Sequence, residues 1–320
     1  MQNRRIGIIG TGSYVPNKIL TNKELSQLVD TTPEWIEEKV GVKERRIADY
    51  TQSTSDLALY ASHEALRDCG LNPSNIDLIV LATSSPDMIQ PSTASILQGK
   101  LGAYGAAAFD VSAVCAGFIY ALVVAESLMR TNRQYRRALV IGAETYSKIL
   151  DWDDRSTCVF FGDGAGAVVL GDVPFGRGVQ KHFIENDGRG WDVIMFDNDK
   201  NKFAMQGKQV WDFATKQCPR AIREVLEIGK IPHEEIDKII LHQANINIIK
   251  SCMDELNLPM GRTFTNLDKY GNTSGASIPI AIAEADRAGF FNKGDKVILS
   301  GFGGGLSVGA IKLIWDKEAL

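Results

Sequence analysis

Residues 75–82, NIDLIVLA, decide the fold, because the same pattern returns at residues 235–242 as EIDKIILH. Both are short apolar runs of the kind that forms a buried strand. A second pair of runs, RALVIGA at 137–143 and DKVILSG at 295–301, is matched at nearly the same offset of about 160 residues. Two matches that agree in offset indicate that the chain contains a duplicated unit.

The segments that precede the first matched strands predict amphipathic helices over residues 55–69 and 210–228, each ended by a glycine. Strands separated by helices predict an α/β fold with largely parallel sheets and right-handed crossovers. We therefore expect two halves, residues 1–172 and 173–320, that pack about a pseudo-twofold axis.

Composition restricts the function without identifying it. A chain of 320 residues can bury a large core, and its formal charge of −4 gives no support for nucleic-acid binding. We see no apolar run long enough to cross a bilayer, and the N-terminus is typical of a first strand instead of a signal peptide. Five cysteines without clustered spacing argue against a disulfide framework and a zinc site. We expect a soluble, reduced, cytoplasmic protein.

The most informative turn of the chain lies in FDVSAVCAGFIYAL at residues 109–122. An apolar run ends near Val111, and a helical pattern extends from Ala116 to about Met129. Cys115 therefore lies at a strand-to-helix turn, where unpaired N–H groups and the helix dipole stabilise a thiolate and lower the pKa of the thiol. The alternative is a buried cysteine that acts as a small hydrophobe.

Three further segments supply partners for a nucleophilic thiol. His242 directly follows an apolar strand, and the C-terminal ends of parallel strands are where α/β folds place their chemistry. Asn272, in the small-residue turn GNTSGAS at 271–277, can project its amide into a cleft or cap the next helix. The glycine loop GFGGGL at 301–306 allows backbone N–H groups to approach a substrate oxygen closely.

The repeat also relates these segments to one another. Moving Cys115 forward by the offset reaches Asn272 and Thr273, so the reactive residues occupy matching points in the two halves. Those points converge if the halves pack about a pseudo-twofold axis.

Taken in order, these motifs resemble β-ketoacyl-[acyl carrier protein] synthase III, a condensing enzyme of the thiolase superfamily. The resemblance rests on Cys115 in its turn, His242 in HQAN, Asn272 in GNTS and the FGGG loop. It extends to GTGSYVP at 10–16, EWI at 34–36 and FGDGAGA at 161–167, so it covers the chain from the first strand to the last. Asparagine at 272 disfavours the related hydroxymethylglutaryl-CoA synthases, which use glutamate.

The resemblance implies a five-layered αβαβα thiolase-like fold and a decarboxylative condensation. Cys115 is expected to take an acyl group from an acyl-CoA. His242 and Asn272 are expected to donate hydrogen bonds to a malonyl thioester, carried by acyl carrier protein or by coenzyme A. The backbone N–H groups of Cys115 and Gly304 are expected to form the oxyanion hole.

The resemblance also implies the substrate-binding residues. Trp35 and Arg155 are expected to sandwich the adenine of coenzyme A, although Trp35 is equally consistent with an ordinary core position. The other expected contacts to coenzyme A or the acyl chain are Gly207, Asn245 and Phe302. Coenzyme A enters as a thioester substrate, and no permanently bound cofactor and no metal is expected.

Two departures from the family pattern concern specificity. Gln90 occupies a position that is usually apolar and reaches across a homodimer to the acyl pocket, which favours a polar or short acyl group unless its amide points to backbone or water. The homodimer itself is expected to pair the strand near residues 109–111.

The second departure concerns the helix after HQAN, which usually presents basic residues to the acidic carrier protein. Here Asn247 replaces a common arginine, and Asp254 and Glu255 replace common lysines, so Lys250 is the one positive residue on that face. Asp212 also replaces a basic residue. Four other basic residues can serve instead: Lys202, Lys208, Lys216 and Arg262.

The acidic helix motivates an alternative function. An enzyme of the same fold could transfer the acyl group of Cys115 to a CoA-bound or small-molecule acceptor. A non-catalytic scaffold of the same fold is a third possibility, and it is disfavoured by the intact set of Cys115, His242 and Asn272.

Overall fold

A computed structural model describes residues 4–197, 202–229 and 232–317. Within these ranges the strands are β1 (Ile6–Tyr14), β2 (Lys18–Thr21), β3 (Glu44–Ile47), β4 (Leu78–Ala82), β5 (Ala107–Val111), β6 (Ala138–Glu144), β7 (Gly164–Asp172), β8 (Gly178–Asn186), β9 (Ile194–Asp197), β10 (Lys202–Met205), β11 (Lys238–Leu241), β12 (Lys296–Gly303) and β13 (Ser307–Ile314).

The α-helices of the described ranges are α1 (Asn22–Leu25), α2 (Pro33–Lys39), α3 (Thr54–Asp68), α4 (Thr93–Leu101), α5 (Gly117–Thr131), α6 (Arg155–Cys158), α7 (Gly207–Gly229), α8 (Ile246–Glu255), α9 (Leu267–Tyr270) and α10 (Ser277–Arg287). The predicted helix over residues 55–69 is confirmed as α3. The second predicted helix is confirmed as α7, which begins three residues earlier than expected.

Two large sheets contain the matched strands. The first has the order β1-β7-β6-β4-β5, and the second has the order β11-β12-β13-β8. In both, a parallel pair (β4 with β6, β11 with β12) is followed by antiparallel neighbours, so the sheets are mixed and the expectation of largely parallel sheets was wrong. The strand pairs matched in the sequence, β4 with β11 and β6 with β12, therefore hold equivalent places in the two sheets.

The second sheet has a single bridge where the first has its fifth strand. Ile239 pairs with Thr263 in one parallel bridge, on the side of β11 that corresponds to β5 beside β4. The first sheet takes its strands from residues 6–172 and the second from residues 178–314. The boundary expected at residues 172 and 173 stays a prediction.

The sheets and helices form five layers. One apolar cluster joins α3 and α4 to the outer face of the first sheet, and another joins α7 and α8 to the outer face of the second. A third cluster contains α5 and α10 between the two sheets. Along β4, for example, Ile79 and Leu81 belong to the outer cluster while Leu78 and Val80 belong to the central one, as the two-residue period of a strand requires. The architecture is αβαβα.

The central position of α5 corrects one expectation from the sequence. Within the described ranges, Val114–Thr131 is long and apolar enough to span a bilayer, with a mean hydropathy of 1.5 over 18 residues. The expectation that no run has this length was therefore wrong. Because 61% of this window is buried in the protein, its hydropathy reflects packing between two sheets.

Glycine allows the two halves to approach each other at the centre. An ideal Cβ on Gly142 of β6 would lie 2.1 Å from the carbonyl oxygen of Gly275, just before α10. This separation is far below a van der Waals contact, so a side chain at 142 would push the turn before α10 away from the first sheet. That turn carries part of the site described next.

Candidate active site

One cavity of about 730 Å³, including its open mouth, brings together residues from both halves. Cys115, His242 and Asn272 all line it, together with Gly303 of the glycine loop. The rest of its wall is mainly apolar and includes Phe160, Phe161, Ile194, Met205, Val210, Trp211, Ala244, Ile248 and Phe302. A concave, mainly apolar wall with a few polar groups is typical of small-molecule sites.

Two similar turns position the reactive residues. The 3₁₀ turn Val114–Ala116 leads into α5, and the 3₁₀ turn Ser274–Ala276 leads into α10. Each begins with a residue in the left-handed region, Val114 with φ 47° and Ser274 with φ 48°. The matched position of Cys115 is Gly275, 160 residues later, so the expected match at Asn272 and Thr273 was two to three residues short.

The environment of Cys115 differs from the one that its position before a helix suggests. The side chain is 5% exposed, and Sγ lies 3.3 Å from the Ser274 hydroxyl oxygen. Burial, with a smaller contribution from the negative charge of Glu144, raises the pKa of the thiol to about 12. The expected lowering by the helix N-terminus is therefore wrong for the free protein, because loss of hydration outweighs the helix dipole.

His242 is held as a neutral hydrogen-bond donor. Its Nδ1 lies 2.7 Å from the Ser277 hydroxyl oxygen, which also accepts the backbone N–H of Gln243 at 3.3 Å. We assign the Ser277 proton to the hydrogen bond with Nδ1, which places the ring proton on Nε2, the nitrogen without this partner. Burial lowers the pKa of His242 to about 3, so the imidazole is uncharged at neutral pH. Phe302 packs edge-on against the ring, with centroids 5.2 Å apart.

The amide of Asn272 is oriented by its own turn. Its Oδ1 accepts the backbone N–H of Ser274 at 2.8 Å, which identifies that atom as oxygen and leaves Nδ2 as a donor. The backbone is also fixed, because the N–H of Asn272 donates to Phe160 O and the N–H of Gly162 donates to Asn272 O. The side chain caps its turn and lines the cavity, so the two alternatives for Asn272 are compatible.

The glycine loop lies against the Cys115 backbone. An ideal Cβ on Gly303 would be 2.7 Å from the Cys115 nitrogen, so a side chain there would crowd this amide. Gly304 does not belong to the lining of the described cavity, and its Cβ position is 3.0 Å from both Val114 Cγ2 and Ile194 O. The role expected for Gly304 in the oxyanion hole stays a prediction.

Trp35 and Arg155 meet each other directly. The Arg155 guanidinium lies 4.2 Å from the centre of the Trp35 ring, which is a stacking distance. Trp35 is half-buried on α2 and Arg155 is exposed at the start of α6. No aromatic base fits between the two side chains at this separation, so a sandwich requires them to move apart.

The remaining expected residues divide into two groups. Gly207, Asn245 and Phe302 line the cavity. The Asn245 side chain caps α8 by accepting the N–H of Asn247 and also donates to Lys39 O. Gln90 is exposed and is absent from this cavity, so its expected burial does not occur within a single chain.

Several residues of the face expected to meet the carrier protein already have partners within the chain. Asn247 donates to the carbonyls of Glu38 and Lys39, and Glu255 is paired with Arg223 at 2.8 Å. Among the four alternative basic residues, Lys202 pairs with Asp151, and Arg262 donates to backbone carbonyls. Lys208 and Lys216 are exposed on α7, and Lys208 follows a residue that lines the cavity.

Sequence reasoning missed several polar residues that contact the site. Tyr146 lines the cavity, stacks on Phe161 with centroids 4.7 Å apart, and contacts the Ser274 hydroxyl. Glu144 lies behind it and is fully buried. Both follow the apolar run at 137–143, so the strand-end argument that identified His242 would have found them if it had been applied to β6.

The arrangement provides a buried thiol, two neutral hydrogen-bond donors and a backbone amide around one apolar cavity. A thiol forms thioesters with acyl groups, and neutral donors stabilise an oxyanion or enolate that develops on a carbonyl oxygen. These are the groups needed for acyl transfer followed by carbon–carbon bond formation.

Comparisons with known proteins agree with this chemistry. The family model described as 3-oxoacyl-[acyl-carrier-protein (ACP)] synthase III matches residues 109–188, and the model of its C-terminal part matches residues 226–315. The β-ketoacyl-[acyl-carrier-protein] synthase III of Caldanaerobacter subterraneus subsp. tengcongensis is 47% identical, over 97% of this chain and 98% of that protein. The corresponding Clostridium acetobutylicum protein is 46% identical over 98% of this chain and 99% of that protein.

A solved structure gives the same result for the fold. The crystal structure of 3-oxoacyl-[acyl-carrier-protein] synthase III from Aquifex aeolicus VF5 superposes with a TM-score of 0.94 at 43% identity, covering 97% of this chain and all of that one. The chain therefore belongs to the 3-oxoacyl-[acyl-carrier-protein] synthase III family, and it is a condensing acyltransferase with the thiolase-like fold.

Proposed function

We propose that this enzyme loads an acyl group from an acyl-CoA onto Cys115 and condenses it with malonyl-acyl carrier protein to give a 3-oxoacyl thioester. The observation that carries the proposal is that Cys115, His242 and Asn272, supplied by both halves of the chain, line one apolar cavity. The names of the relatives support the carrier protein as the holder of the product.

The first half-reaction is acyl transfer. The Cys115 sulfur attacks the thioester carbonyl, the tetrahedral intermediate collapses, and coenzyme A leaves as a thiolate that takes a proton from solvent. The Cys115 backbone N–H, kept clear by the absence of a side chain at Gly303, and the N–H of Gly304 are the proposed oxyanion donors.

The second half-reaction forms the carbon–carbon bond. Nε2 of His242 and Nδ2 of Asn272 donate to the malonyl thioester oxygen while the C–CO₂ bond breaks. The enolate carbon then attacks the acyl carbonyl on Cys115 and releases the sulfur. Each donor contributes on the order of 3 kcal/mol to lowering this barrier. Both side chains are fixed before substrate arrives, which makes them suited to this task.

We propose that the coenzyme A adenine binds between Trp35 and Arg155 after these side chains separate. Gly207, Asn245 and Phe302 then contact the pantetheine arm and the acyl group. The apolar wall formed by Phe160, Phe161 and Ile194 suits a hydrocarbon primer. Gln90 enters the acyl site of the neighbouring subunit only if the protein is a dimer.

Such a dimer is our proposal for the assembly. β5 is the last strand of its sheet, and the nearby segments expose large apolar side chains: Ile89 is 100% exposed and Tyr104 is 78% exposed. Pairing of β5 with its copy would continue the sheet and cover an exposed edge.

The carrier protein is proposed to approach the mouth of the cavity beside α7. Lys208 and Lys216 offer positive charge there, and the Arg223–Glu255 pair neutralises part of the acidic face on α8. We place the enzyme in the cytoplasm, which is consistent with five cysteines that form no disulfide.

Mass spectrometry of the intact protein tests the first step. Incubation with a panel of acyl-CoAs is expected to add one acyl group to the wild type and none to Cys115→Ser, with a loss of condensation of about 10⁴-fold or more. Cys69→Ser, which changes a half-buried cysteine at the end of α3, is the matched control and should acylate normally. Acylation of Cys115→Ser at the wild-type rate would refute the assignment.

Product analysis with malonyl-acyl carrier protein and malonyl-CoA tests the second step. A 3-oxoacyl thioester formed on the carrier supports the proposal. An acyl-Cys115 enzyme that reacts with neither malonyl thioester, but passes its acyl group to another acceptor, would instead support the acyltransferase alternative.

A further inference from the structure

A chain of hydrogen bonds leads from the Cys115 thiol to a buried carboxylate. Sγ lies 3.3 Å from the Ser274 hydroxyl, and that hydroxyl lies 3.3 Å from the Tyr146 hydroxyl. The Tyr146 hydroxyl lies 3.1 Å from the Ser84 hydroxyl, which donates to Glu144 Oε1 at 2.9 Å. We call Ser274, Tyr146 and Ser84 the hydroxyl chain.

The hydroxyl chain has a single consistent direction when Glu144 is ionised. Each hydroxyl has one proton, and Ser84 gives its proton to the carboxylate, so it accepts from Tyr146. Tyr146 then accepts from Ser274, and Ser274 accepts the S–H of Cys115. Every proton in the chain therefore points from the sulfur toward Glu144.

Glu144 is placed to accept a proton. It is fully buried at the end of β6 and accepts hydrogen bonds from both halves of the chain, from the N–H of Ser84 and the N–H of Gly275. The hydroxyls of Thr83 and Ser85 complete its surroundings. Burial raises the pKa of Glu144. The negative charge of Glu144 in turn raises the pKa of two neighbouring groups, the Cys115 thiol and the Tyr146 hydroxyl.

We propose that Glu144 accepts the Cys115 proton through the hydroxyl chain and keeps it while the acyl group is on the sulfur. This inference rests on the proposed function, since it concerns how the nucleophile of that reaction is generated. Tyr146 and the two serines act as positioning residues that carry the proton.

The proton balance closes over one cycle. The S–H bond breaks, each hydroxyl passes on one proton, and an O–H bond forms on Glu144. The thiolate takes the acyl group, and the departing coenzyme A thiolate is protonated by solvent. When condensation releases the Cys115 thiolate, Glu144 returns its proton along the same chain.

The transfer also solves an electrostatic problem. With both groups ionised, two negative charges would lie in one buried cluster, and this repulsion adds to the effect of burial in raising the pKa of Cys115. Moving the proton to Glu144 keeps the cluster at one negative charge during attack. Once Cys115 is acylated, protonated Glu144 is neutral, so it does not repel the enolate that forms nearby.

The test is the pH dependence of Cys115 alkylation by iodoacetamide, followed by mass spectrometry between about pH 5 and pH 10. The wild type should show a plateau near neutral pH, because the thiolate with protonated Glu144 is a pH-independent fraction of the protein there. Glu144→Gln removes the acceptor, and its rate should be lower at neutral pH and rise steadily with pH. If the only effect of Glu144 were to repel the Cys115 thiolate, the opposite result would follow, and Glu144→Gln would be alkylated faster than the wild type.

Tyr146→Phe interrupts the hydroxyl chain while it retains the ring that stacks on Phe161. Its alkylation plateau and its rate of acylation by acyl-CoA should fall by about 10²-fold. Tyr120→Phe removes a tyrosine hydroxyl on α5 that donates to Glu185 O, and it should behave as the wild type. Tyr146→Phe removes only one oxygen atom, so this variant should fold. It therefore provides the test if Glu144→Gln does not fold.

Wild-type behaviour of either Glu144→Gln or Tyr146→Phe would overturn the proposal. Failure of the proposed function is distinguishable from this result: a wild type that no acyl-CoA acylates contradicts the function, whereas alkylation by iodoacetamide still reports on the proton path.

Discussion

The turns Val114–Ala116 and Ser274–Ala276 share a backbone conformation, but they differ in the side chain at the matched central position. Both begin with a left-handed residue and lead into a central helix, yet the first presents the Cys115 thiol and the second has Gly275 at the matching position. An ideal Cβ on Gly275 would lie 3.1 Å from Glu144 Oε1. The space that a second nucleophile would need is occupied by the carboxylate behind the first one.

This difference separates what duplication supplies from what sequence divergence supplies. Duplication provides two strand-to-helix turns that meet at the centre of the molecule. Because the two sequences have diverged, the N-terminal turn contains a nucleophile, whereas hydrogen-bond donors flank the C-terminal turn. Asn272 precedes that turn and Ser277 follows it. Under the proposed function the chemistry is therefore divided between the halves: acylation depends on the first turn, and polarisation of the second substrate depends on the other.

Among variants that keep the Cys115 thiol, the largest effect should come from removing a donor of the C-terminal half. Asn272→Ala and His242→Ala should each lower the rate of malonyl decarboxylation by about 10²- to 10³-fold, because a fixed donor to the developing enolate is lost. Acylation of Cys115 should remain within a few-fold of the wild type. Release of carbon dioxide from labelled malonyl-carrier and intact mass of the acyl-enzyme measure the two steps separately. Equal loss in both steps would contradict the division between the halves.

The sequence was sufficient to predict the turns and insufficient to predict their electrostatics. The matched strands have clear apolar patterns because both faces of β4 and β6 are buried, and this pattern is local. The pKa of Cys115 depends on what covers the sulfur, and that cover comes from Ser274, 159 residues away. The effect of a helix dipole on a thiol can be inferred from a short stretch of sequence. Burial of that thiol by residues from the other half of the chain cannot be inferred in this way.

Two other differences have a similar origin. The stacking of Arg155 on Trp35 depends on the relative placement of α2 and α6, which no local pattern encodes. The left-handed conformation of Val114 and Ser274 runs against the preference of β-branched and polar residues, so it follows from the packing of the two halves instead of from local propensity.

The contact between the halves can be disrupted directly. Gly142→Ala places a methyl group 2.1 Å from the Gly275 carbonyl oxygen, so backbone must shift, and the free energy of unfolding should fall by about 1–3 kcal/mol. Urea unfolding measures the change. Gly99→Ala on α4 is the matched control, since its added Cβ meets open space, and it should be neutral or slightly stabilising. Equal stability of both variants would show that the halves are less closely packed than described.

A smaller effect should follow from losing control of the imidazole tautomer. Ser277→Ala removes the proton given to Nδ1 of His242, so part of the population should place its ring proton on Nδ1, and decarboxylation should slow by about tenfold. Because the pKa of His242 is about 3, the ring stays neutral, and the wild-type rate should not fall between about pH 8 and pH 5 through its protonation. Ser277→Thr, which keeps the hydroxyl, should recover activity, and no recovery would indicate a packing defect.

The smallest effect should come from the stacked pair at the mouth. In the free protein the Arg155 guanidinium covers the Trp35 ring at 4.2 Å, so under the proposed binding mode an entering adenine must first displace it. Removing the arginine abolishes the cost of this displacement, which favours binding. It also removes one of the two groups that would stack on the adenine, which disfavours binding. Arg155→Ala should therefore raise the KM for acyl-CoA by about two- to fivefold, the value of an exposed cation–π contact, and leave the acylation rate at saturation unchanged.

Trp35→Ala should raise the same KM further, because it removes the larger apolar surface that the adenine would cover. Arg67→Ala, an exposed arginine on the outer helix α3, should have no effect and controls for loss of surface charge. If neither Trp35→Ala nor Arg155→Ala alters the KM, the adenine binds elsewhere, and the stacked pair only joins α2 to α6. The comparison between the halves would stand in that case, because the two turns lie at the opposite end of the substrate from its nucleotide.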